Sequence, residues 1–128
     1  MNMRDLCVAT ALALAVAGCA SGPKKAEVGA RDDDRTVELK PGDELLVKLE
    51  SNRTTRFRWV LTQGPGKILF KQGDPMYARP IDSAPDAGGI ETWSFRAVEP
   101  GEQVLVFEYR RPSDKTAEKT VRYMVTVR

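Results

Sequence analysis

Nucleophile activation and zinc binding at neutral pH are usually built on histidine or cysteine. This chain of 128 residues contains no histidine, and its two cysteines, Cys7 and Cys19, both lie close to the N-terminus. Ser-His and Cys-His pairs, His-bearing zinc sites and four-cysteine sites are therefore excluded. Asp32-Asp33-Asp34 is an acidic run without the central glycine and terminal glutamate of an EF-hand loop, and it reads as solvated. Asp82 and Asp86 lie near prolines in a region rich in turn residues, with nothing to mark them as a catalytic pair. Gly88-Gly89 is followed by neither the Lys-Ser pair nor the helix of a phosphate loop. Asn52-Arg53-Thr54 satisfies the glycosylation triplet. The reading is of a protein that is not an enzyme and uses no metal or cofactor.

Three segments are unusual for simple connectors. Asn52-Arg53-Thr54-Thr55-Arg56-Phe57-Arg58-Trp59 places two threonines between apolar runs. Ala87-Gly88-Gly89 would allow a positive φ and close approach of a partner's backbone. Tyr109-Arg110-Arg111-Pro112 ends a strand in a basic turn stiffened by proline.

The elements that must hold these segments are strands. From Arg35 onward apolar residues recur with period two: Val37 and Leu39; Leu45, Val47 and Leu49; Phe57, Trp59 and Leu61; Trp93, Phe95 and Ala97; Leu105, Phe107 and Tyr109; Val121, Tyr123, Val125 and Val127. Residues 67–72 add a further apolar run, and residues 73–89 read as a long irregular connection. Pro41-Gly42, Gly64-Pro65-Gly66 and Pro100-Gly101 punctuate the pattern. The chain is expected to be all-β, an immunoglobulin-like β-sandwich of about seven antiparallel strands over residues 35–128. Trp59 and Trp93, in phase with the inward residues, are expected in its core. In such a sandwich the segments after the second, fourth and sixth strands gather at one end. The net charge of +2, from 20 Lys+Arg against 18 Asp+Glu, does not suit a nucleic-acid partner. The domain is expected to be monomeric.

The first residues read as an address. Arg4 precedes an apolar run over residues 6–17, too short to span a bilayer, and Val16-Ala17-Gly18-Cys19 resembles the bacterial lipobox. That resemblance implies a signal peptide over residues 1–18, cleavage before Cys19 and acylation there, with membrane attachment through the lipid. Ala20 in place of aspartate implies, by likeness to enterobacterial sorting, a protein of the cell envelope held on the outer membrane, facing periplasm or surface. Residues 19–34, with Gly, Pro, Ser and charge, read as a flexible tether.

The three segments, in this order on this pattern, resemble the chagasin family of papain-like cysteine-protease inhibitors. The family's first loop has the form Asn-Pro-Thr-Thr-Gly-aromatic-x-Trp, its second a Gly-Gly motif followed by x-Glu-x-aromatic-x-Phe, and its third Tyr-x-Arg-Pro-Trp. Here they are Asn52 to Trp59, Gly88-Gly89-Ile90-Glu91-Thr92-Trp93-Ser94-Phe95, and Tyr109-Arg110-Arg111-Pro112-Ser113. The resemblance implies three loops wedged into a papain-like peptidase's cleft. Contacts would come from Asn52, Arg53, Thr54, Thr55, Arg56, Phe57, Gly88, Gly89, Arg111 and Pro112, with the Thr-Thr loop nearest the catalytic cysteine. Arg53 stands at the family proline, Arg56 at the family glycine and Ser113 at the family tryptophan. These departures imply a looser first loop, strain at Arg56 if a positive φ is required, and a lost aromatic contact. They imply weaker inhibition, with a preference for acidic cleft edges set by Arg53 and Arg56. A non-inhibitory envelope binding module on the same sandwich is the alternative.

Overall fold

The computed structural model describes residues 22–128. Its strands are β1 (Lys25–Gly29), β2 (Arg35–Leu39), β3 (Glu44–Ser51), β4 (Arg58–Gln63), β5 (Leu69–Lys71), β6 (Met76–Ala78), β7 (Gly89–Ala97), β8 (Gly101–Arg110) and β9 (Lys119–Val127), with one short 3₁₀ turn at Ala30–Asp32. One sheet runs β1-β3-β7, with β5 and β6 in succession along the far edge of β7; the other runs β2-β9-β8-β4. The all-β sandwich expected from the alternating pattern is present. It is not wholly antiparallel: β1 pairs with β3, and β2 with β9, in parallel.

The inward faces hold Leu45, Val47, Leu49, Phe95, Leu105, Phe107, Tyr123 and Val125, all fully buried. Phe107 is the hub of the aromatic core, meeting Trp93, Phe95 and Tyr123 edge-on at 5.1, 6.4 and 6.1 Å between centroids. Trp59 and Trp93 are buried as expected, and each indole N–H is satisfied, Trp59 by the Glu50 carbonyl and Trp93 by the Glu91 carboxylate.

Residues 1–18, Cys19 and Ala20 lie outside the described residues. The tether expected over residues 19–34 is corrected from Lys25 onward. Val28 is buried in the core, and β1 follows β3 from Lys25↔Glu44 to Gly29↔Lys48. Asp33 and Asp34 of the acidic run are exposed, as expected, but the run is hydrogen-bonded to its neighbours. Asp32 Oδ2 accepts the Gly29 N–H at 2.8 Å, Asp33 Oδ1 accepts the Arg122 N–H at 2.8 Å, and the Asp34 N–H reaches the Arg122 carbonyl. The buried Tyr123 hydroxyl donates to the Gly29 carbonyl at 2.7 Å. Burial, reinforced by Asp32 and Asp33, pushes its phenol pKa above the ordinary value.

The opposite pole is fastened by Asp43, a buried carboxylate that accepts the Lys24 and Lys40 N–H groups at 3.0 and 2.9 Å. Those two bonds hold its pKa below the ordinary carboxylate value. The Pro41-Gly42 turn beside it has Gly42 at φ 96°, the left-handed third position of a type II turn. The irregular connection expected over residues 73–89 contains β6, which pairs Met76↔Thr92 through Ala78↔Ile90 on the outer edge of β7.

Candidate functional site

Loop 1 (residues 52–57) crosses from β3 to β4, loop 2 (79–88) leads from β6 into β7, and loop 3 (111–118) joins β8 to β9. The strand ends fix their neighbourhood: Ser51 pairs with Gly89, Arg58 with Arg110, and Tyr109 with Lys119. All three loops therefore leave the sandwich at one end, with loop 1 in the middle.

Loop 1 is organised by Asn52. Its Oδ1 accepts the Thr54 N–H at 3.0 Å and the Thr54 hydroxyl at 2.6 Å. Its backbone carbonyl accepts the Thr55 N–H at 3.2 Å and the Thr55 hydroxyl at 2.8 Å. Thr55 Oγ1 in turn accepts the Phe57 N–H at 3.3 Å. This Asx-turn geometry shapes the loop locally and leaves Thr54, Thr55 and Arg56 exposed.

Both flanking loops touch it. Asn52 Nδ2 donates across to the Asp86 carbonyl of loop 2 at 3.1 Å. On the other side Phe57 stacks on Tyr109 at 5.3 Å, and the Arg111 guanidinium lies over the Phe57 ring at 5.6 Å. Arg111 also grips Asp114 through two bonds, at 2.9 and 3.3 Å, which closes loop 3 on itself. The pair raises the guanidinium pKa and lowers that of the carboxylate. Pro112 and Ser113 are exposed in that turn, with no aromatic side chain at Ser113.

Two expectations about backbone conformation are corrected. Arg56 has no positive φ; the only non-glycine residues there among the described residues are Asp34 and Asp82. The arginine at the family glycine position therefore carries no such strain. Gly88 and Gly89 also avoid positive φ. Their smallness serves packing within the domain. A Cβ on Gly89 would overlap the Ala78 carbonyl of β6 and come within 3.0 Å of Tyr77 Cζ, and one on Gly88 would stand 3.1 Å from the Ser51 carbonyl.

Arg53 is not a source of looseness. Its guanidinium lies 4.6 Å from the Tyr77 ring centroid and 4.0 Å from Glu91 Oε1, while Glu91 Oε2 accepts the Trp93 indole N–H at 2.8 Å. Glu91 is buried. The arginine thus ties the root of loop 1 to β6 and β7, a different route to the order a proline would give. Tyr77 and Glu91 are not among the expected contact residues, because they meet Arg53 only through tertiary pairing: β3–β7 brings Glu91 beside it, and β6 on the edge of β7 brings Tyr77. Loop 2 has its own brace: Arg79 donates to the Ala84 and Pro85 carbonyls at 3.0 and 3.1 Å. Its turn places Ile81 at the tip, 92% exposed, followed by Asp82 at φ 64°.

Behind loop 1, Glu50, Asn52, Gly88 and Lys119 border an open depression of about 360 Å³. No nucleophile there has a base beside it. The arrangement is a three-part edge whose loops are joined by one hydrogen bond and ring contacts.

The chagasin family peptidase inhibitor I42 pattern matches residues 38–127. Among solved structures, the chain resembles the cysteine protease inhibitor EhICP2 from Entamoeba histolytica, with TM-score 0.71 and 18% identity over 84% of this chain and 99% of that one. It also resembles amebosin, with TM-score 0.66 and 24% identity over 84% and 100% of the two chains. PbICP-C, whose structure is of its complex with falcipain-2, aligns with TM-score 0.54 and 20% identity over 84% and 100%. No curated protein matches the sequence. The structural likenesses speak for the sandwich, and the family pattern spans strands β3 to β9 and all three loops. The chain belongs to the chagasin family of peptidase inhibitors, a family of inhibitors and not of enzymes.

Proposed function

We propose that the protein is a reversible inhibitor of papain-like cysteine peptidases, with loops 1, 2 and 3 entering the active-site cleft side by side. The observation that carries this is loop 1: it is held between its neighbours by the Asn52–Asp86 bond and the Phe57–Arg111 contact, and presents Thr54 and Thr55 outward. A preformed edge reduces the ordering entropy lost on docking. The cysteine protease inhibitor from Entamoeba histolytica and the PbICP-C complex with falcipain-2 supply the partner class by likeness. Asn52, Arg53, Thr54, Thr55, Arg56, Phe57, Gly88, Gly89, Arg111 and Pro112 are assigned to this edge. Arg53, Gly88 and Gly89 act there by shaping it.

The test is progress-curve inhibition of papain-like peptidases by the wild type and by a Thr54→Ala, Thr55→Ala variant. Wild-type inhibition that the double substitution abolishes, with the melting temperature nearly unchanged, supports the wedge. Absence of any inhibition at roughly 50 μM, a level at which even weak complexes form, overturns it in favour of an envelope binding module that inhibits nothing.

The lipobox resemblance supports the accompanying proposal that the mature protein begins at an acylated Cys19 and is held on the outer membrane. Labelling with a palmitate analogue should be lost in Cys19→Ser. Labelling that survives the substitution refutes the anchor.

A further inference from the structure

The cations of the loop edge are not equivalent. Arg53 faces the buried Glu91, Arg110 pairs with Glu108 at 3.2 Å, and Arg111 is held by Asp114. Arg56 is exposed and has no carboxylate within salt-bridge distance among the described residues. Arg58, also exposed, spends its Nη1 on the Thr55 and Phe57 carbonyls at 2.8 and 2.7 Å, which fixes the side chain without neutralising it. Loop 1 itself contains no acidic residue. Two uncompensated guanidiniums therefore stand two residues apart after the threonines, Arg56 in loop 1 and Arg58 at the start of β4.

Resting on the inhibitor reading above, we propose that Arg56, supported by Arg58, selects peptidases whose cleft rim carries carboxylates beside the catalytic centre. Arg53, though half exposed, is a positioning residue whose charge faces the buried Glu91 and the Tyr77 ring. The charge preference first assigned to Arg53 and Arg56 together thus falls on Arg56 and Arg58. An exposed rim charge acts mainly on the rate of encounter, through a field that salt screens, whereas an internally paired one acts on loop order.

The experiment measures association rates of wild type, Arg56→Glu and Arg53→Gln with two papain-like peptidases of known structure, one with carboxylates along its cleft rim and one with an uncharged rim. For the acidic-rim enzyme, Arg56→Glu should lower the rate by about tenfold at about 25 mM salt, and this gap should close by about 300 mM. Arg53→Gln should keep the wild-type salt slope while lowering the melting temperature, because Glu91 loses its counter-ion. The uncharged rim should show no salt slope. Inhibition that Arg56→Glu leaves unchanged at low salt, or an Arg53→Gln variant that loses the slope as fully as Arg56→Glu, overturns the inference and leaves the inhibitor reading standing. Wild-type inhibition of neither enzyme removes the inhibitor reading first, and this inference with it.

Discussion

Asn52→Ala deletes three hydrogen bonds at once: two into Oδ1 from Thr54, at 2.6 and 3.0 Å, and one from Nδ2 to the Asp86 carbonyl at 3.1 Å. Neutral bonds of this kind contribute about 0.5–1.5 kcal/mol each, and in so exposed a loop the lower figure applies. The sum is about 1.5 kcal/mol of loop order, which corresponds to roughly tenfold in the dissociation constant if only the ordered loop binds. Asn52→Asp keeps the acceptor for Thr54 and loses the donor to loop 2, while turning a carboxylate toward the Asp86 carbonyl. It should cost about 0.5–1 kcal/mol, or two- to fivefold. The assays are inhibition of a papain-like peptidase by each variant and hydrogen exchange at the Thr54 amide. In Asn52→Ala that amide should exchange faster while the melting temperature barely moves, since the loop lies outside the core. An alanine variant with wild-type inhibition and an unchanged Thr54 amide would refute the assignment of loop order to Asn52. So would an aspartate variant that binds worse than the alanine variant.

Gly89→Ala forces β6 away from β7, because the new methyl meets the Ala78 backbone. It should destabilise by about 3 kcal/mol, the upper end of overpacking costs. Gly88→Ala, with 3.1 Å to one carbonyl, should cost less than about 1 kcal/mol; chemical denaturation showing equal effects would contradict this packing role. Asp43, whose pKa is lowered by the Lys24 and Lys40 N–H groups, stabilises the fold above the ordinary carboxylate range. That contribution is lost as pH falls through its folded-state value. Asp43→Asn should therefore be about 1–3 kcal/mol less stable at neutral pH. Its stability should also fall less steeply in acid than that of the wild type, and parallel urea-denaturation curves at neutral and acid pH would contradict the assignment.

The long strands were legible because burial imprints itself on them. In β7 the inward Glu91, Trp93, Phe95 and Ala97 are buried and alternate with more exposed neighbours. The short edge strands carry no such imprint. β1 buries only Val28, and β6 buries none of its three residues, so both are held mainly by backbone pairing that leaves composition unconstrained. The order of the three loops could be read from motif spacing, and the structure brings them together. The role of Arg53 could not be read, because Tyr77 and Glu91 meet it through tertiary pairing over long separations. Gly88 and Gly89 stand out in the sequence, but the positive φ they would allow is not used. Sequence shows that a side chain is missing but not which neighbour occupies the space.

The parallel course of β1 along β3 also fixes a height and a direction. β3 runs from the Asp43 pole to loop 1, so the chain enters the domain at the pole opposite the three loops. In the lipid-anchored form proposed here, residues 19–23 alone separate the acylated cysteine from the first fastening at Lys24, a reach of about 17 Å at full extension. The inhibitory edge stands about one strand, roughly 26 Å for eight residues, beyond that fastening. Such a domain would be a short upright post with Lys24 and Lys40 toward the headgroups and its loops facing outward. It would present its loops to peptidases arriving from the aqueous side.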